Sequence, residues 1–169
     1  MSSYRVHVTK DYLGFASGHF ISYEGHECER LHGHNYRVGV TVEGPLGPSR
    51  YVMNFVTIKR AMKRLADELD HRVLLATRNP VIRVREDGDV VEASCRGKRY
   101  LLPRDDVVLL PIENTTAELL ARHLLERFRN ELESLGGAAL TSLEVEVEES
   151  PGQSAFCRET LGAGTADRT

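Results

Sequence analysis

From Asn35 to Glu43 the chain alternates, with Tyr36, Val38, Val40 and Val42 on one parity and Asn35, Arg37, Thr41 and Glu43 on the other. Period two marks a strand with one buried face, because successive side chains leave a pleated strand on opposite sides. Such a strand needs neighbours and a covering apolar layer. Tyr4, Val6 and Val8 alternate with Arg5, His7 and Thr9, giving a first strand over residues 4–10. Leu143, Val145 and Val147 alternate with Glu144, Glu146 and Glu148 as a late strand, and residues 155–158 begin another. Between Asn54 and Leu69, the residues Phe55, Ile58, Met62, Leu65 and Leu69 recur at spacings of three and four, which predicts an amphipathic helix with Asn54 as its N-cap. Thr115-Thr116-Ala117-Glu118 has the form of a capping box, and Leu120, Leu124, Phe128, Leu132 and Leu135 carry a second helix to Gly136-Gly137.

Between these helices, residues 76–111 read as a β insertion. Val81 to Val84 and Val90-Val91 flank an Asp87-Gly88 turn, and Tyr100 to Leu102 and Val107 to Leu110 follow, with nothing in the segment that suggests chemistry. The small polar residues 162–169 read as a disordered tail, leaving one domain over 1–161. The net charge of -3 gives no general pull toward nucleic acid or anionic membrane. No apolar run approaches the ~18 residues of a membrane span, and the N-terminus has no secretory signal, so a cytoplasmic protein is the expectation. Cys28, Cys95 and Cys157, an odd number without a CxxC, argue against a disulfide framework and fit a reducing compartment.

The chemistry is concentrated in Gly25-His26-Glu27-Cys28-Glu29-Arg30-Leu31-His32-Gly33-His34, which runs into the second strand. His32 and His34 share the parity of Tyr36 and Val38, so two imidazoles stand side by side at the inner rim of the sheet. His19 lies upstream where a neighbouring strand would present it. Three neutral imidazoles with an open fourth position are the ligand set of a catalytic zinc. Two blander readings stand beside this one: a solvated His pair in a turn, and a closed structural site with Cys28 as fourth ligand. Asp70-His71 closes the first helix, where the dipole favours a His but a carboxylate beside an imidazole also makes an acid/base pair. Glu149 shares its parity with Leu143, Val145 and Val147, so it points inward and needs a partner, either a ligand with paired N–H donors or an Arg.

Phe15-x-x-x-His19, Cys28-x-x-x-His32-Gly33-His34, Asn54-Phe55, Leu69-Asp70-His71, Thr116-Ala117-Glu118 and Glu149-Ser150 occur in the order found in the 6-pyruvoyltetrahydropterin and 6-carboxytetrahydropterin synthase family, which the chain resembles. The resemblance implies an α+β tunnelling fold, an antiparallel sheet with two helices on one face, whose trimeric barrels stack into a hexamer. It implies a zinc lyase with a small-molecule pterin substrate. It places metal ligands on His19, His32 and His34, a catalytic cysteine on Cys28, an acid/base pair on Asp70 and His71, and a pterin anchor on Glu149. The short Cys-x-x-x-His spacing resembles the queuosine branch, in which 7,8-dihydroneopterin triphosphate becomes 6-carboxy-5,6,7,8-tetrahydropterin. Glu29, directly after Cys28, departs from the pattern; family variants with Glu near this cysteine cleave the side chain differently. The sibling expectations are therefore a pyruvoyl-forming synthase and cleavage to 6-hydroxymethyl-dihydropterin. A pterin- or zinc-binding oligomer without turnover is the expectation of another class.

Overall fold

The computed structural model describes residues 2–134 and 139–162; Leu135, the Gly136-Gly137 stop and residues 163–169 of the expected tail lie outside the described residues. The strands are β1 (Tyr4–His19), β2 (Ser22–Tyr23), β3 (Glu27–Cys28), β4 (His32–Gly44), β5 (Arg72–Ala76), β6 (Arg83–Asp87), β7 (Val90–Cys95), β8 (Lys98–Pro103), β9 (Val107–Leu110), β10 (Ser142–Ser150) and β11 (Gln153–Thr160). The helices are α1 (Phe55–Leu69) and α2 (Ala117–Ser134). The main sheet has the order β11-β10-β4-β1-β5-β9. Its first four strands are antiparallel, but β5 pairs parallel to β1 and β9 parallel to β5, so the sheet is mixed rather than wholly antiparallel.

The alternation of Val38, Val40, Leu143, Val145 and Val147 does what it predicts: these side chains are at most 1% exposed, against Ile58, Met62 and Leu65 of α1 and Leu120, Leu124 and Phe128 of α2. Burying each large aliphatic group contributes about 1.5–3 kcal/mol. The opposite parity carries cross-strand pairs such as Arg5–Glu144 at 3.0 Å and Arg158–Glu43 at 3.0 Å. The first strand runs well beyond the expected residue 10, because the register shifts between Thr9 and Gly14 and pairing with β4 then resumes as far as His19 opposite His32.

Asn54 caps α1 by accepting from the Val56 N–H at 2.8 Å. Phe55, expected on the apolar face, is 55% exposed, because the buried stripe begins one turn later at Ile58. The expected box at the start of α2 is shifted by one residue: Thr116, not Thr115, accepts from the Leu119 N–H at 3.4 Å, since Thr115 is buried and committed to His19.

The insertion forms a separate sheet, β6-β7-β8, turned at Gly88 with φ of 60° as the Asp-Gly pair requires. Its inner side chains Val91, Ala93 and Cys95 pack with Phe20, Cys28, Leu75, Ile82 and Val107 in a second core. Val107 to Leu110, expected in the insertion, instead belong to the main sheet as β9. Among the described residues no helix is long and apolar enough to cross a membrane.

Candidate active site

Three imidazoles meet where β1 ends and β4 begins. His19 and His32 are direct cross-strand partners, and His34 is two residues along on the same face. Ring centroids lie 4.8 Å apart for His19–His32, 4.8 Å for His32–His34 and 5.2 Å for His19–His34, and one ligand atom from each ring falls within 4.8 Å of the others. The Nδ1 of His19 lies 3.0 Å from the Thr115 carbonyl, and the Nδ1 of His32 lies 2.8 Å from the Arg30 carbonyl. A carbonyl only accepts, so both Nδ1 atoms carry the hydrogen and both Nε2 atoms present a lone pair, that of His19 with the Tyr36 hydroxyl 3.2 Å away. Burial holds the His19 pKa below its ordinary value of 6.5, which keeps the ring neutral as a metal ligand must be. Exposure rises across the set, with side chains at 2% for His19, 24% for His34 and 40% for His32, so the cluster opens on one side. The donor set therefore fits a metal ion with an accessible coordination position.

Glu149 joins this cluster at the end of β10, where the register with β11 shifts between Glu148 and Ser150. Its Oε1 lies 3.4 Å from the Tyr36 hydroxyl, 3.4 Å from His19 Nε2 and 3.6 Å from His34 Nε2. Burial, followed by the nearby carboxylate, pushes the Tyr36 pKa far up, so the phenol stays protonated and donates to Glu149. Tyr36 was legible only as an apolar strand residue, although it shares the parity of His34. A cavity of about 560 Å³ opens over the cluster, lined by His19, His32, His34, Glu149, Glu118 and Glu29 among others. The Glu29 carboxylate is 4.0 Å from His32 Nε2.

The remaining expected residues lie elsewhere. Cys28 is 8% exposed, faces the second core and is disulfide-bonded to Cys95. The expectation of reduced, unpaired cysteines is thus corrected for this pair. The bonded residues are 67 apart in sequence, and Cys95 arrives on the insertion that was read as inert. Cys157 is free. Asp70 accepts from the Ala16 N–H at 2.7 Å and sits 2.9 Å from His71 Nδ1. The Ala16 hydrogen bond, aided by His71, lowers the Asp70 pKa and keeps it ionised. Neither residue lines the cavity over the His cluster: His71, 82% exposed, lines a second hollow with Ala16, Gly18, Gly33 and Arg72, and the two hollows share His34.

Residues 7–160 match the sequence profile of the 6-pyruvoyl tetrahydropterin synthase family. A Methanocaldococcus jannaschii protein named putative 6-carboxy-5,6,7,8-tetrahydropterin synthase is 34% identical over 151 residues, covering 88% of this chain and 91% of its own. A Pyrococcus furiosus dihydroneopterin monophosphate aldolase is 40% identical over 60 residues, 36% of this chain and 50% of its own. Among solved structures, a Plasmodium vivax 6-pyruvoyltetrahydropterin synthase in which a catalytic glutamate is replaced by alanine superposes with a TM-score of 0.89 at 27% identity, over 95% of this chain and all of the other. With its mixed sheet, two helices and His cluster, the chain belongs to the 6-pyruvoyl tetrahydropterin synthase family and is an enzyme of that family.

Proposed function

We propose that the chain is a zinc-dependent 6-carboxy-5,6,7,8-tetrahydropterin synthase, acting in the cytoplasm on 7,8-dihydroneopterin triphosphate with loss of acetaldehyde and triphosphate, in the supply of 7-deazapurine (queuosine) precursors. The observation that carries this reading is the convergence of His19, His32, His34 and Glu149 on one cavity of about 560 Å³, in a chain whose curated relative of that name matches it along most of its length. Zinc suits three neutral imidazoles with an open position, and when bound it supplies Lewis acidity to the hydroxyls of the substrate side chain. Glu149 accepts the N–H pair of the pterin ring, and Tyr36 orients it by donating to Oε1. Cys28 serves as the base when it is a free thiolate, with Asp70 and His71 relaying the proton.

Because Asp70 and His71 lie outside the His cavity of their own chain, this reading takes them from a neighbouring copy. The sheet ends in β11 and β9, each unpaired on its outer edge among the described residues, which supports closure with further copies into a trimer or hexamer.

Glu29 favours a second reading, cleavage of the side chain to 6-hydroxymethyl-dihydropterin, because Glu29 and not Cys28 lines the cavity. The deciding experiment is mass spectrometry of the products formed by the zinc-loaded protein from 7,8-dihydroneopterin and from its triphosphate. A 6-carboxy product supports the first reading, and a 6-hydroxymethyl product supports the second. A 6-pyruvoyl product assigns the sibling synthase, and absence of turnover at full zinc occupancy leaves a pterin-binding oligomer.

A further inference from the structure

The segment that bears Cys28 and Glu29 has little structure of its own. β2 and β3 are two residues each, paired only as Ser22–Cys28 and Tyr23–Glu27, and the Glu29 N–H donates to the Ile21 carbonyl at 3.0 Å. Asn114 and Asn79 hold its start at Ser22, and its end at Glu27 to Glu29 is held from the turn between β7 and β8. Arg96 pairs with the Glu27 carboxylate, and Cys95 is bonded to Cys28. Lys98 Nζ donates to the carbonyls of Cys28 at 3.3 Å and Glu29 at 3.5 Å. Arg96 and Gly97 have φ of 49° and 78°, a tight hairpin turn that holds these three side chains in one cluster. Three residues of the insertion, Cys95, Arg96 and Lys98, thus grip three consecutive residues at the rim of the cavity.

We propose that the Cys28–Cys95 disulfide is a redox-operated selector of the acid/base group in the cavity. Oxidised, it withdraws the Cys28 sulfur into the second core and leaves Glu29 as the group on this segment that faces substrate. Reduced, it releases the segment and makes Cys28 available as a thiol. The inference rests on the proposed pterin chemistry and adds to it what decides between its two bases. A dithiol reductant performs the switch: one of its thiolates attacks a sulfur of the pair, its second thiol resolves the mixed disulfide, and it departs as a cyclic disulfide. Two electrons and two protons end on Cys28 and Cys95 as thiols. Disulfides in a glutathione-buffered compartment are mostly transient or sensing, which suits this role better than a permanent staple does.

The test uses full-length zinc-loaded protein oxidised with diamide or reduced with dithiothreitol, with alkylation and intact mass counting free cysteines. Oxidised protein is expected to alkylate at Cys157 alone and reduced protein at all three cysteines. Backbone hydrogen exchange across residues 22–31 is expected to quicken about tenfold or more on reduction. Glu29→Gln should lower turnover about a hundredfold or more in the oxidised protein and less than about tenfold in the reduced protein, where Cys28 substitutes. Cys95→Ser should behave as the reduced form in either buffer. Three free cysteines after oxidation, unchanged exchange, or an equal loss from Glu29→Gln in both states overturns the selector while turnover itself stands. Absence of turnover in both states overturns the enzymatic reading and the selector together.

Discussion

Replacing Glu149 with Gln separates the proposed pterin anchor from the candidate metal cluster, although the two touch. The Glu149 Oε1 is 3.4 Å from Tyr36 and from His19 Nε2, and 3.6 Å from His34 Nε2. Where those Nε2 atoms carry lone pairs they donate nothing, so the phenol is the donor that Glu149 accepts from among these groups, and its roughly four acceptor sites are not filled by them. Among the described residues no Arg or Lys makes an ion pair with it. A pterin N–H pair bound there makes charge-assisted bonds worth about 1.5–3 kcal/mol each, against about 0.5–1.5 for neutral ones. Glutamine keeps one acceptor and turns a donor toward the second N–H, so one bond is lost and the other weakened. The carboxylate is partly solvated, which places the net loss at about 1.5–3 kcal/mol, or roughly ten- to hundredfold in affinity. Metal content is expected to stay unchanged, because loss of a carboxylate that raises the His19 pKa only favours its neutral form further. The assay is calorimetric titration with 7,8-dihydropterin at equal metal occupancy, with His34→Ala as the contrasting variant that loses metal. Pterin affinity within twofold of the parent, or loss of metal from Glu149→Gln, refutes the argument.

Two further outcomes follow from the fold. A Cβ on Gly14 would overlap the Tyr36 carbonyl oxygen, a backbone atom that cannot swing away, so Gly14→Ala should cost about 1–3 kcal/mol and lower Tm by roughly 3–10 °C in calorimetry; an unchanged Tm contradicts the close approach. Burial, aided by Arg127, holds the His123 pKa below 6.5 against the opposing pull of Glu126 and Glu68. The unfolded chain then binds this proton more readily, so stability falls as pH drops through about 6.5, and His123→Leu should flatten that part of the Tm profile between about pH 7 and pH 5.

The His cluster was legible because two of its members obey strand parity and the third follows from placing its neighbour in register. His32 and His34 inherit the face of Tyr36, and the antiparallel ladder of β1 on β4 sets His19 opposite His32. Strand β5 was not legible for a physical reason. Val73-Leu74-Leu75-Ala76 is a continuous apolar run, as expected of a strand between two parallel neighbours, and it shows no alternation. Thr115 misled as a cap because its hydroxyl and carbonyl both turn toward His19, leaving capping to Thr116. The Cys28–Cys95 bond joins residues 67 apart through a sheet whose placement no local pattern encodes.

These differences divide the site into two parts of unequal rigidity. The imidazoles stand on strands of 16 and 13 residues, and two of them are fixed further by backbone carbonyls, His19 by that of Thr115 from a distant segment and His32 by that of Arg30 two residues earlier. Glu27, Cys28 and Glu29 stand on a two-residue strand and its flank, with an inserted sheet supplying the ion pair, the disulfide and the lysine that hold them. Placement of an acid/base group has to be accurate to a fraction of an ångström for proton transfer. In this chain the contacts that hold Glu27, Cys28 and Glu29 come from residues 95–98, remote in sequence from the three imidazoles. On the proposed reading, the placement of the three imidazoles and the identity of the acid/base group are therefore separable in the same fold: a change in the insertion is expected to alter the second while the ladder between β1 and β4 preserves the first.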